Sequence, residues 1–244
     1  MHYAYSYGGI EPLVSPCNQT VRLRSAVNTP RPSQVHAKAF PGRRVRDFAF
    51  LFCSLDGYYE GPDRELDWGV NDEEFFTWNL RQCREIGALV LGRRTYEHFE
   101  AFWTTSSANE QMPEVAQFMN SVPKVVVTRN ADLRPTWKGT ETIDGKDLAA
   151  DIERLSSEVE GDIAIFGSSE LATSLLRAGL IDEIRILIHP VLLGRGRSLL
   201  HGVAHRIRLE AGPATVFRSG NVLLTYRPLG AEPGPWKPEA AARQ

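Results

Sequence analysis

"AIFGSSELATSLL", residues 164–176, crosses from an unbroken apolar run to apolar residues at helical spacing through Gly167-Ser168-Ser169. A strand that turns at once into a helix is the repeating unit of an α/β fold. The Gly-Ser-Ser junction has two readings. In one it is a turn followed by a helix cap, because serine accepts a hydrogen bond from the first free helical N–H groups. In the other it seats a phosphate: glycine lets an anion approach the backbone, and the helix start offers free N–H groups and a partial positive charge. Glu170 argues against an anion directly over this helix unless its side chain points away.

The same strand–helix order extends outward on both sides. "FAFLFCS" (48–54) reads as a first strand, and "DEEFFTWNLRQCREIG" (72–87) as a helix with Phe76, Leu80 and Cys83 on one face and Gly87 as its stop. "ALVLG" (88–92) and "KVVVT" (124–128) are short, wholly apolar strands of the kind buried on both faces. Tyr96, Phe99 and Trp103 share a face of the helix between them. "TTSSANEQMPEVAQFMNS" (104–121) is polar and reads as an irregular lid or substrate loop. Leu148, Ile152, Leu155 and Val159 mark an amphipathic helix, and Gly179 ends the helix that follows Ser169. The pattern then alternates through Ile184, Ile186 and Ile188, and "TVFRSGNVLLTYRPL" forms a hairpin around Ser219-Gly220-Asn221. The expectation is an α/β fold: one domain over 45–229, a mainly parallel central sheet with helices on both faces, and a C-terminal antiparallel hairpin.

Residues 1–44 are rich in Pro, Ser and basic residues without a sustained apolar period, and read as a disordered or weakly ordered extension; 230–244 read as a tail. Residues 1–46 carry seven Lys/Arg and one acid, whereas 47–244 carry 21 Lys/Arg and 29 acids, a net charge near −8. That acidic body excludes nucleic acid as the expected partner. No run of about 18 apolar residues suggests a membrane span. Three widely spaced cysteines fit a reducing cytoplasm rather than a disulfide scaffold. His201 and His205 are four apart, but Gly202 lies between them and no metal site is expected.

Three buried strands end alike. "LVLG" runs into Arg93-Arg94-Thr95, "VVVT" into Arg129-Asn130, and "AIFG" into Ser168-Ser169. Carboxyl ends of strands form the binding crevice of open α/β sheets. Two arginines at a helix start oppose the helix dipole by a few tenths of a kcal/mol each, roughly, a term that a bound phosphate would reverse. Either they pair with acids or solvent, or they meet an anion. Thr128 and Arg129 suit a monophosphate, such as the 2′-phosphate that distinguishes NADP from NAD. Together the three ends match the phosphates of such a dinucleotide, although neither GxGxxG nor GxxxxGK[ST] occurs.

"SLDGYYEGP", "LDW", "LVLGRRTYE", "VVVTRN", "IAIFGSSELATSLLRAGLIDEI" and "HPVLLGRGRSLL" together resemble the dihydrofolate-reductase-like family that includes the C-terminal reductase domain of riboflavin biosynthesis. The resemblance covers about residues 46–228. It implies a dihydrofolate-reductase-like fold, NADPH as hydride donor and a possible homodimer. Position by position it implies Gly92, Arg93, Arg94 and Thr95 as a phosphate-binding turn. Thr128, Arg129 and Asn130 become the adenosine-phosphate strand end, and Gly167, Ser168, Ser169, Glu170 and Leu171 the pyrophosphate turn. Ser168 stands where the family has a second glycine. No H-x-E paired with PCxxC, the zinc deaminase signature, occurs.

The expected chemistry is hydride transfer to a C=N or C=O carbon of a small heterocyclic or carbonyl substrate. Asp56 is the candidate polar residue nearest the reaction, although Asp-Gly is also a turn dipeptide. Trp68 and Trp103 are candidate walls for an aromatic ligand, Trp103 also fitting a core face. Asp72, Glu73 and Glu74 open a helix, where the dipole accounts for them. Two alternatives remain: the pyrimidine reductase of riboflavin synthesis proper, with Arg195 or Arg197 taking a ribosyl phosphate, and a non-catalytic NADP(H) sensor.

Overall fold

The computed structural model describes residues 47–203 and 205–231. The extension expected over 1–44 and most of the C-terminal tail lie outside these residues.

Ten strands and six helices follow in the order β1 (Asp47–Ser54), β2 (Tyr58–Glu60), α1 (Glu73–Cys83), β3 (Ile86–Gly92), α2 (Arg93–Trp103), α3 (Ser106–Gln111), α4 (Pro113–Ser121), β4 (Lys124–Val127), β5 (Thr140–Ile143), α5 (Leu148–Glu158), β6 (Asp162–Phe166), α6 (Ser169–Arg177), β7 (Glu183–His189), β8 (Arg197–Ser198), β9 (Ile207–Val216) and β10 (Val222–Ala231). Eight of the strands form one sheet in the order β5-β4-β3-β6-β1-β7-β10-β9. The pairs from β5 to β7 are parallel, and β10 joins β7 and β9 antiparallel. The sheet is therefore mainly parallel and ends in the antiparallel hairpin that the sequence signals around Gly220.

Period-two alternation divides the central strands between two cores. Phe48 and Phe50 of β1, Leu89 and Leu91 of β3, and Phe166 of β6 face one side, where Phe75 of α1, Tyr96 of α2, and Val115 and Met119 of α4 cover them. Ala49 and Leu51, Ala88 and Val90, and Ile163 and Ile165 face the other, under Ile152 and Leu155 of α5 and Leu171 and Leu175 of α6. Helices thus lie on both faces. Each fully buried Leu or Phe here contributes about 2 kcal/mol of transfer free energy.

Two sequence expectations change, and one strand lies where none was expected. Helix α1 ends at Cys83, and Gly87 lies inside β3 instead of stopping the helix. The glycine is required because a Cβ there would sit 2.2 Å from the Glu160 carbonyl oxygen. The polar segment 104–121 is not an irregular loop. Thr105 caps α3 by accepting the Ala108 amide, and Pro113 opens α4. Sparse apolar residues at helical spacing, Val115 and Met119, suffice to dock α4 on the sheet. The edge strand β5 carries two exposed residues in four, a pattern too polar to read as a strand.

Candidate functional site

The strand order places the ends of β4, β3 and β6 side by side, about 5 Å apart from one to the next. Just beyond them opens a cavity of about 720 Å³. Gly92, Arg93, Arg94 and Thr95 line it from the β3–α2 junction, Thr128 and Arg129 from the end of β4, and Gly167 through Leu171 from the β6–α6 junction. The three strand ends therefore share one rim.

Their local chemistry explains that rim. Helices α1, α3 and α5 have side-chain N-caps, from Asp72, Thr105 and Asp147. Helices α2 and α6, which open on the cavity, have none, and α4 begins with a proline that removes one N–H. The first turn of α2 holds no acid. Arg93 pairs with Glu97 at 2.8 Å on the helix surface, so one of the two arginines takes the solvent-side ion pair. Arg94 and Arg129 have no carboxylate partner among the described residues. Glu170 does point away: its carboxylate meets the Arg197 guanidinium, which also lies 3.2 Å from Glu60.

Ser168 does not cap α6. Its backbone is left-handed, φ 48°, and its hydroxyl accepts the Gly92 amide at 2.8 Å and lies 2.6 Å from the Thr95 hydroxyl. It thereby occupies one amide of the β3–α2 turn and leaves the following ones to a ligand. Ser169, fully inside, accepts the Leu200 amide. Asn130 does not line the cavity: its amide donates to Thr128 and its side chain accepts the Asp132 amide, the pattern of a turn residue.

Asp56 is also off the cavity. Its carboxylate accepts the Ser54 hydroxyl at 2.6 Å and the Leu193 and Gly194 amides at 3.2 and 2.7 Å. The Ser54 hydroxyl, ahead of those amides, holds it below the usual carboxylate range. It splints the turn after β1 to the 191–194 loop, as the turn reading of Asp-Gly expects.

The other half of the cavity is aromatic. Phe50, Phe52, Phe75, Phe99, Trp68 and Trp103 contribute to it. Trp103 serves both readings: it packs against the core and faces the cavity. The wall carrying Trp68 is held from behind, where the Val70 amide donates to His189 Nδ1 at 3.1 Å and the Asn221 amide donates to the Val70 carbonyl. His189 is fully buried, and desolvation pushes its pKa down to about 4. Asp72 accepts the Phe75 and Ser219 amides, and Glu74 the Arg218 amide, so two of the three acids at the start of α1 hold the hairpin rather than a ligand.

Sequence reasoning missed Arg64, Asn71, Asn79 and His98, all of which line the cavity. Asn79 carried a signal: it lies four residues after Phe75, a polar residue on the buried stripe of α1.

A sequence profile described as the RibD C-terminal domain matches residues 48–223. The uncharacterized protein YyaP of Bacillus subtilis (strain 168) is 28% identical over 177 residues, which are 72% of this chain and 91% of that protein. Among solved structures, a protein of Shewanella sp. PV-4 provisionally assigned to riboflavin biosynthesis superposes with a TM-score of 0.59 at 21% identity, over 75% of this chain and 98% of that one. Acinetobacter baumannii RibD superposes with a TM-score of 0.58 at 18% identity, over 75% of this chain but 58% of RibD.

Proposed function

This chain belongs to the RibD C-terminal domain family, a reductase family with a dihydrofolate-reductase-like fold, and from that premise we propose that it is an NADPH-dependent reductase of a small heterocyclic or carbonyl substrate. The observation that carries the proposal is the shared rim: two uncapped helix starts, Arg94 and the Thr128-Arg129 pair on one edge of a cavity whose other half is aromatic.

The residues present fit that cofactor. Amides of the first turns of α2 and α6 would take the pyrophosphate, as helix N-termini do. Arg129, with no carboxylate partner among the described residues, would take the 2′-phosphate with the Thr128 hydroxyl. Asp144, which lines the cavity beside them, is neutralised by Lys146 at 2.5 Å. The bound cofactor supplies hydride. The chain's own work is placement and dryness: Phe50, Phe75 and Phe166 exclude water from the reacting carbons, and the loop wall around Trp68 holds a flat ligand against them. Reduction also places a proton on the substrate nitrogen or oxygen, and water at the open side of the cavity would supply it.

A second reading, the pyrimidine reductase of riboflavin synthesis proper, needs a cation for a ribosyl phosphate. Arg197 is committed to Glu60 and Glu170, and neither it nor Arg195 lines the cavity. Arg64 does, and it favours this reading. Deuteride transfer from labelled NADPH to 5-amino-6-(5-phosphoribosylamino)uracil tests it, and a panel of pterins, pyrimidines and quinones tests the general one. NADPH that binds and is never oxidised across that panel would leave a sensor rather than a reductase. A chain whose melting temperature NADPH does not raise would have neither activity.

A further inference from the structure

Asn79 lies on α1, is 91% buried by its 9% relative exposure, and lines the aromatic half of the cavity. A buried amide has two donors and an acceptor to satisfy, and which end faces the cavity decides what the cavity can recognise. Here a chain of hydrogen bonds fixes that orientation from behind. Glu183 and Arg185 form an ion pair at 2.5 Å, with the Arg185 guanidinium 3.8 Å over the Phe48 ring. Arg185 donates to Gln82 Oε1 at 2.9 Å. A guanidinium has no acceptor, so Gln82 must turn its oxygen to it and its NH₂ the other way. That NH₂ donates to Asn79 Oδ1 at 3.1 Å. Asn79 is left with its own NH₂ for the cavity, and no bond within the described chain engages it.

A second group points the same way. Asn71 Oδ1, on the loop just before α1, is buried without a partner and belongs to the same cavity lining. An unpartnered buried donor or acceptor is costly unless a ligand or water meets it. The two asparagines thus offer a donor and an acceptor among aromatic rings.

We propose that Asn79 is a specificity-determining residue that donates to a carbonyl oxygen of a planar heterocycle, and that Gln82 and Arg185 are positioning residues that keep its NH₂ turned to the ligand. This rests on the reductase reading for what occupies the phosphate-lined half, but the donor is a property of the apo chain. A wrong end facing the cavity would set two acceptors against each other, the kind of mismatch that discriminates strongly between similar ligands.

The test uses two flat probes and no cofactor. Lumazine (pteridine-2,4-dione) presents carbonyl acceptors, and 2,4-diaminopteridine presents amino donors in their place. The full chain is expected to bind lumazine more tightly, by roughly tenfold for one well-made hydrogen bond. Asn79→Asp keeps the bond from Gln82 and turns an acceptor inward, so the preference should invert. Gln82→Glu changes no residue that lines the cavity. Its carboxylate still pairs with Arg185 but now requires Asn79 to donate backward, so the preference should again fall or invert. A merely structural Gln82 would change the melting temperature without moving the ratio. Equal binding of the two probes by the parent chain, absence of lumazine binding, or an Asn79→Asp ratio equal to the parent's would overturn the proposal. NADPH affinity measured on the same three proteins separates this outcome from failure of the reductase reading: that affinity should be alike in all three, and its absence from the parent would overturn only the reductase.

Discussion

The Ser168 hydroxyl accepts the Gly92 amide at 2.8 Å and lies 2.6 Å from the Thr95 hydroxyl, so a residue 76 positions later in the chain clasps the turn between β3 and α2 to the turn between β6 and α6. The clasp requires Ser168 to sit at φ 48°, a region that costs a non-glycine residue about 1 kcal/mol or more. It also requires a glycine at 92, because a Cβ there would come within 2.7 Å of the Ser168 oxygen.

Ser168→Gly should relieve the strained backbone, lose both hydrogen bonds and free the Gly92 amide. Calorimetry should show NADPH bound as tightly as before or severalfold more tightly, with one further charge-assisted amide bond available, while the melting temperature moves by only a few degrees. Clearly weaker NADPH binding would mean that the serine hydroxyl itself serves the cofactor.

Asp56→Ala should lower the melting temperature, because the carboxylate fixes the Leu193 and Gly194 amides, and should leave kcat/KM of a reducible substrate within a few-fold. Steady-state rates decide this. A loss of about 100-fold or more with an intact fold, the range of a missing general acid, would return Asp56 to the chemistry.

The strand ends were legible because their residues break a helix rule: cations stand at the first turn of α2, where acids are usual. Their convergence also followed, since apolar runs buried on both faces imply neighbouring parallel strands. Asp-Gly marks both turns and sites, and the partners that give Asp56 its turn role, at 193 and 194, are too distant in sequence to be read there. Segment 104–121 reads as a loop in sequence because its caps, Thr105 and Pro113, are single residues inside a polar run. Asn79 escaped notice because the bonds that orient it run back through Gln82 to Arg185, 106 positions later in the chain.

Stability should fall on acidification. His189 is held near pKa 4 in the folded chain against an ordinary 6.5, so between those values the unfolded chain binds more protons than the folded one. The stability this buried neutral imidazole contributes is complete above about pH 6.5 and is lost as the pH falls toward 4. It amounts to roughly 3 kcal/mol. Urea midpoints at pH 7.5 and 5 read this directly, and His189→Gln should flatten the difference. An unchanged pH slope in that variant would place the acid sensitivity elsewhere.

Affinity for NADPH and for NADH, measured by calorimetry on the parent chain and on Arg129→Ala, tests the shared-rim account most directly. The parent should prefer NADPH by roughly tenfold or more, as a charge-assisted contact to one phosphate provides. Arg129→Ala should erase that preference by weakening NADPH alone. Equal weakening of both cofactors, or a parent chain that binds neither, would contradict the claim that these three strand ends hold one phosphorylated coenzyme.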